Sequence, residues 1–190
     1  MKHSFLRPLA LVAALSLGTI ASANAAEYTT LDAEASSIAF GYSQMNVNMD
    51  GSFSELKATE LSFDPANPEA AKVAIEVALS SIDAGYPDAN DELAKEEWLA
   101  LEQYPLASFT SKTIEVLDDG NYQVTGELSI KGNTQTVSAP FSFKEDGDTG
   151  IFAGSFTFQR ADFNIGEGAW SGFGIVANDI EIDFEIVTKQ

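Results

Sequence analysis

The chain has 190 residues, with ten Lys and Arg against 29 Asp and Glu, a single His and no Cys. The missing Cys excludes disulfides, dithiol redox chemistry and Cys-ligated metal clusters. The acidity argues against nucleic acid as a partner, because it repels phosphate backbones.

The first 25 residues read as a secretory leader. Lys2 and Arg7 make a positive start, Leu9 to Ile20 form an apolar run too short to span a bilayer, and Ala23-Asn24-Ala25 has the small-x-small pattern of a cleavage site. Cleavage after Ala25 removes the only histidine, His3, and with it Ser-His-Asp and Cys-His nucleophile pairs and histidine metal ligation. What remains, 26–190, has the size of one domain, and eight basic residues against 29 acids give it a formal charge of −21. The expected location is the periplasm.

Strand patterns follow one another along this domain. Ile38, Phe40 and Tyr42 alternate with Ser37, Ala39, Gly41 and Ser43, the period of two expected for a strand with one buried face. Asp64-Pro65 and Asn67-Pro68 end a strand and force a wide connection. Val73, Ile75, Val77 and Leu79 alternate again. One helix interrupts the rhythm near residues 88–102: Asp88 is placed to cap it with Asp91 at the third position, and Ala94, Trp98 and Leu101 share a face. Tyr104-Pro105 stops it. Strands resume with Tyr122, Val124, Leu128 and Ile130, then Val137 to Phe143, Phe152 to Phe158 and Ile180 to Ile186. Asp119-Gly120, Gly132-Asn133 and Asp146-Gly147 are hairpin dipeptides, so the flanking strands pair antiparallel. Asp146-Gly147-Asp148 lacks an acid at the twelfth place, Thr157, so it reads as a turn and not a calcium loop.

About eight antiparallel strands and one helix predict a closed all-β barrel, wide enough to be filled by side chains or to hold one slender ligand. Most of the thirteen Phe fall at inward parity, and so do Gly126, Ala139 and Gly154. Two outcomes stay open: a tube left where glycines face rings, or a solid Phe core in which glycines relieve curvature.

The order of short motifs resembles the YceI-like polyisoprenoid-binding proteins. Tyr28 with Leu31-Asp32, Ser36-Ser37-Ile38-Ala39-Phe40, Gly51-Ser52-Phe53, Leu61-Ser62-Phe63-Asp64-Pro65 and Ser81-Ile82-Asp83 are similar to the first half of that family. Leu93, Trp98 to Tyr104-Pro105, Phe109-Thr110-Ser111, Gly126 to Thr134 and Arg160-Ala161-Asp162-Phe163-Asn164-Ile165-Gly166 continue the likeness. The resemblance implies a lipocalin-like periplasmic barrel holding an isoprenoid lipid, a polyprenyl phosphate or an isoprenoid quinone, for transport, storage or sequestration. It implies no catalysis and no cofactor besides that bound lipid. Transient contact with a membrane or a membrane cytochrome is also implied. A barrel permits a monomer, with a dimer as the other state. Histidines of many relatives are replaced here by Ala35, Gln44 and Glu92, and the loop after the central hairpin shortens to 145–150, so head-group contacts need not transfer.

The expected ligand-binding residues are Phe40, Tyr42, Phe109, Phe141, Phe152, Phe156 and Phe158 as cavity wall, with Gly154 as an open place within it. Leu93 and Trp98 are expected as a lid or an ordinary helix-on-sheet plug, and Trp170, in a glycine-rich connection, either borders the mouth or packs. Arg160, the only arginine after the leader, either pairs with Asp162 or another acid to pin a turn or faces the head group. A pyrophosphate head needs Arg160 or Lys131 at the mouth, so a neutral, quinone-like head is favoured. Each five-carbon unit buried removes on the order of 100 Å² of apolar surface, about 2.5 kcal/mol before ordering costs. The other readings are a carboxylate-dependent hydrolase, a structural or stress barrel without lipid, and an outer-membrane barrel. The last would put Glu181, Asp183 and Glu185 into a narrow lumen.

Overall fold

Period-two segments that bury one face must curl round to cover it, and here they make a single antiparallel sheet. The structure is a computed structural model that describes residues 26–190; the expected leader lies outside them. The strands are β1 Thr30–Leu31, β2 Ser37–Gln44, β3 Val47–Phe53, β4 Leu56–Ser62, β5 Lys72–Ala78, β6 Ile82–Asp83, β7 Leu106–Val116, β8 Tyr122–Ile130, β9 Asn133–Asp146, β10 Thr149–Gln159 and β11 Asp179–Lys189. The helix α1 spans Pro87–Leu93.

Neighbours in the sheet run β4-β5-β7-β8-β9-β10-β11-β2-β3-β6, with β1 on β11. The ends of that path meet, because β3 and β4 are halves of one strand bent at Ser54-Glu55, and β6 continues β5 past a single turn at Leu79–Ser81. Ser81 stitches the bend. Its hydroxyl accepts from the amides of Ser54 at 3.2 Å and Glu55 at 3.1 Å and donates to the Ala78 carbonyl at 2.7 Å. With each bent pair counted as one strand and β1 set apart, eight strands enclose the barrel.

Residues 26–31 close the lower end. Tyr28 pairs with Phe63, and Thr30 and Leu31 pair with Lys189 and Thr188 of β11. The hairpin glycines Gly120, Gly132 and Gly147 all have positive φ, as their dipeptides predict. The turn between β2 and β3 is built instead by Met45 and Asn46, both in the left-handed region at φ 53° and 63°.

The helix is shorter than the sequence predicts. It ends at Leu93, and Asp88 does not cap it: Tyr86 holds the cap position without a side-chain hydrogen bond, followed by Pro87. From Ala94 the chain descends in irregular turns, with Ala100 at φ 51°. Burial gives the reason. Trp98, Leu99 and Ala100 are all buried, and three consecutive residues cannot face one surface of an α-helix whose residues step round by about 100°.

Candidate functional site

The barrel interior holds two hydrophobic clusters, and the cavity lies between and beside them. The lower cluster is a knot of rings. Phe63 is fully buried and packs at 4.8 Å from Phe143, 4.9 Å from Phe152 and 5.7 Å from Tyr122, centroid to centroid. Tyr28, also fully buried, lies at 5.3 Å from Phe143 and donates its hydroxyl to Glu145 at 3.1 Å; burial raises its pKa. This end is shut by side chains.

Above the knot lies a cavity of about 510 Å³, within the size range of ordinary small-molecule sites. Of the residues expected at the site, Phe40, Tyr42, Phe109, Phe141, Phe152, Phe156 and Phe158 lie on its wall, and Leu93, Trp98, Arg160 and Trp170 line it from the upper end. Aliphatic residues that pattern reading left unranked, such as Val73, Ile75, Val124, Val137, Ile180 and Ile182, line it too. Their signal was inward parity, which core and wall residues share.

Gly154 is absent from the lining, and so is Gly126. A Cβ at 154 would stand 2.3 Å from the Pro140 carbonyl and 2.8 Å from the Phe184 ring; one at 126 would stand 2.5 Å from the Phe109 ring. Each glycine is therefore a seat for a ring from a neighbouring strand, not a gap in the wall. The hollow comes from the girth of the barrel.

The upper end is closed by chain segments. Arg160 is 1% exposed, and all its donors go to main-chain carbonyls: Nε to Ala177 at 3.0 Å, Nη1 to Ile165 at 2.7 Å and Gly166 at 3.2 Å, and Nη2 to Trp170 at 2.9 Å, Val176 at 3.1 Å and Gly172 at 3.3 Å. The pairing with Asp162 or another acid does not form. The fork pins the turn from 165 to 177 through carbonyls, its charge faced by the rings of Trp98 at 5.5 Å and Phe173 at 5.1 Å. Desolvation lowers its pKa, and no donor is left for a head group. Lys131 is likewise engaged, on the Asn164 carbonyl at 2.7 Å and Glu167 at 2.8 Å, and lies off the cavity.

The mouth opens beside α1, where Tyr86, Asp88, Ala89 and Glu92 face Gln44 and Trp170. Trp170 Nε1 donates to Glu92 at 3.1 Å, and Lys95 pairs with the same carboxylate. The Lys95 hydrogen bond is the main reason that Glu92 has a lowered pKa. The Trp98 indole leans towards Glu92 but misses hydrogen-bond geometry, so its buried N–H has no partner among the described residues. Among those residues no cluster of Asp, Glu, His or Cys is grouped to hold a metal ion. Glu181, Asp183 and Glu185 of β11 are exposed, so the strand turns its carboxylates away from the cavity.

Residues 29–188 match the YceI-like domain. A UPF0312 protein of Pectobacterium atrosepticum is 31% identical over 92% of each chain. The crystal structure of BcnA from Burkholderia cenocepacia superposes with a TM-score of 0.79 at 34% identity, covering 83% of this chain and 98% of that one. A polyisoprenoid-binding domain from Saccharophagus degradans shares the fold, with a TM-score of 0.64 at 15% identity over 86% and 98% of the two chains. The domain match, which spans nearly all the strands of the barrel, makes this chain a member of the YceI-like family.

Proposed function

We propose that the protein binds an isoprenoid lipid, its tail in the barrel cavity and its head at the mouth beside α1, and carries or stores it in the periplasm after export. The observation that carries this reading is the cavity itself: apolar on almost every side, backed below by the Phe63 knot, with its polar lining residues gathered beside α1. A polyprenyl chain fits such a space because its gain comes from transfer out of water, which needs no chemistry from the protein. The S. degradans relative named for polyisoprenoid binding supports the same ligand class. The family fold is one of binding proteins, in keeping with a non-enzymatic role.

An uncharged, carbonyl-bearing head suits the mouth better than a phosphate. Arg160 has its donors engaged and Lys131 is held by Asn164 and Glu167 off the cavity, while Asp88 and Glu92 put negative charge at the entrance. The Trp98 N–H is a buried donor without an acceptor, a situation that costs about 1–3 kcal/mol and that a ligand oxygen would relieve. Mass spectrometry of organic extracts from protein purified without detergent tests the proposal. The expected result is a near-stoichiometric long-chain isoprenoid with a neutral head. Protein that carries no lipid and takes up none when offered a polyprenol or a quinone in detergent micelles would overturn it.

A further inference from the structure

Around the mouth, the surface changes character. Residues 41–49 and 168–178 contain no charged side chain, in a chain whose formal charge is −19. The structure brings these two stretches together: Met45 N donates to Ile175 O at 2.7 Å, Ala177 N donates to Ser43 O at 2.9 Å, and Gln44 bridges Val176. At their tips Met45, Val47, Phe173 and Ile175 are between about half and 70% exposed, and Tyr86 stands exposed on the α1 side of the mouth. None of the four tip residues lines the cavity, whereas Gln44, Tyr86, Trp170 and Val176 beside them do. Packing inside the barrel therefore does not account for the apolar character of Met45, Val47 and Ile175, and Phe173, although its ring faces Arg160, still leaves half its surface exposed.

We propose that this rim is a docking surface for an uncharged phospholipid bilayer, which it meets by inserting Met45, Val47, Phe173 and Ile175 at the headgroup boundary. The inference rests on the lipid-binding reading above, because an isoprenoid tail entering beside α1 has to come out of a membrane. Three observations select this occupant. The rim is continuous with the cavity mouth. It lacks the Lys and Arg that hold a protein to an anionic leaflet, and Asp50, Asp88 and Asp179 border it, so anionic lipid is repelled. Four partly exposed side chains also offer well under the roughly 800 Å² per partner that a stable protein dimer needs, yet they suffice for reversible interfacial insertion. Two loops held by main-chain bonds present the tips without opening the barrel.

The test uses protein expressed with its own leader and purified as the cell processes it. Flotation with vesicles of pure phosphatidylcholine, and of phosphatidylcholine with one-third phosphatidylglycerol, is compared for the native protein, Met45→Asp/Ile175→Asp and Val116→Asp. Val116 is similarly exposed but lies at the end of β7, by the hairpin of the sealed end. The expected result is binding to neutral vesicles that falls on the order of tenfold or more in the double variant, stays unchanged in Val116→Asp and weakens with anionic lipid. Met45→Ser/Ile175→Ser gives the same direction should the double Asp variant not fold. Uptake of a quinone from detergent micelles, which bypasses docking, should be the same in all folded variants. Stronger binding to anionic vesicles, equal loss in Val116→Asp, or no binding to either vesicle overturns the docking surface. Failure of micelle uptake in the native protein overturns the lipid-binding reading itself.

Discussion

The two ends of the barrel are closed by different physics. At the lower end, Tyr28, Phe63, Phe143 and Phe152 interlock as rings, and the amino-terminal strand crosses from β4 to β11 over them. At the upper end, irregular segments close the opening, anchored by Arg160, by Lys131 and by the amides of Gly166 and Glu167 on the Glu97 carbonyl. Ring packing is lost only by exposing a large apolar area. A segment held by hydrogen bonds can open locally, because water replaces most of each bond and leaves a net loss of about 1 kcal/mol. On the proposed lipid-binding reading the lower end serves stability and the upper end exchange, with α1 held to its neighbours by the Ala84 amide donating to Asn90 and the Trp170 indole donating to Glu92.

Phe63→Ala should cost the protein most. Removing a fully buried ring from the knot is expected to cost about 3–5 kcal/mol, read as a lowered urea midpoint with little change in slope. A cost below about 1 kcal/mol would mean that the lower end is not the structural anchor. Arg160→Met comes next. It strips the donors from six carbonyls in the turn from 165 to 177 and removes a desolvated charge, a partial compensation, for a net loss of about 2–3 kcal/mol. Hydrogen exchange should then quicken in 160–177 while β9 and β10 keep their protection below; uniform loss across the barrel would abolish the distinction between the ends.

Much of this architecture is visible as pattern. The alternation in β2, β5, β8, β10 and β11, the three glycine hairpins and the Phe-lined wall follow from period and turn chemistry. What escaped has a common cause, which is that it depends on contacts between distant residues. The bend joining β3 to β4 is held by Ser81, some 27 residues away, so nothing local marks it. Met45 is an unusual residue for the left-handed region, and so β3 had no turn signal before it. Helix propensity from 94 to 101 was overridden by burial of three consecutive side chains. Gly154 has inward parity, yet whether a glycine leaves space depends on where the Phe184 ring turns. Arg160 stands out as the only arginine after the expected leader, but the carbonyls it gathers carry no sequence signature.

At the upper end, the bond between Trp170 and Glu92 latches α1. Trp170→Phe keeps an aromatic ring facing Trp98, whose centroid lies 5.4 Å from the Trp170 indole, but loses the N–H to Glu92 and part of the indole's packing area, so its stability loss is expected to be about 1–2 kcal/mol. Release of bound lipid should nevertheless quicken, because the missing bond spans the mouth. If stopped-flow release is unchanged while Arg160→Met accelerates it, the segment that opens is the turn from 165 to 177 and not α1.

The smallest effect is set by pH at the same carboxylate. Lys95 first, and then the Trp170 indole, hold Glu92 below the ordinary glutamate value of 4.5. A carboxyl depressed in the folded protein adds stability that is fully present above its unfolded value and is lost as pH falls through the folded one. The latch therefore stays intact at neutral pH and weakens only in acid below about 4.5, where protonation ends the Lys95 pair and leaves the indole a weaker acceptor. Tryptophan fluorescence should record that step in the native protein, and Glu92→Gln, which keeps an acceptor oxygen but cannot titrate, should lack it. A step of the same size in Glu92→Gln would place the acid response elsewhere among the many carboxylates, and one centred well above 4.5 would mean that Lys95 does not hold the charge at the mouth.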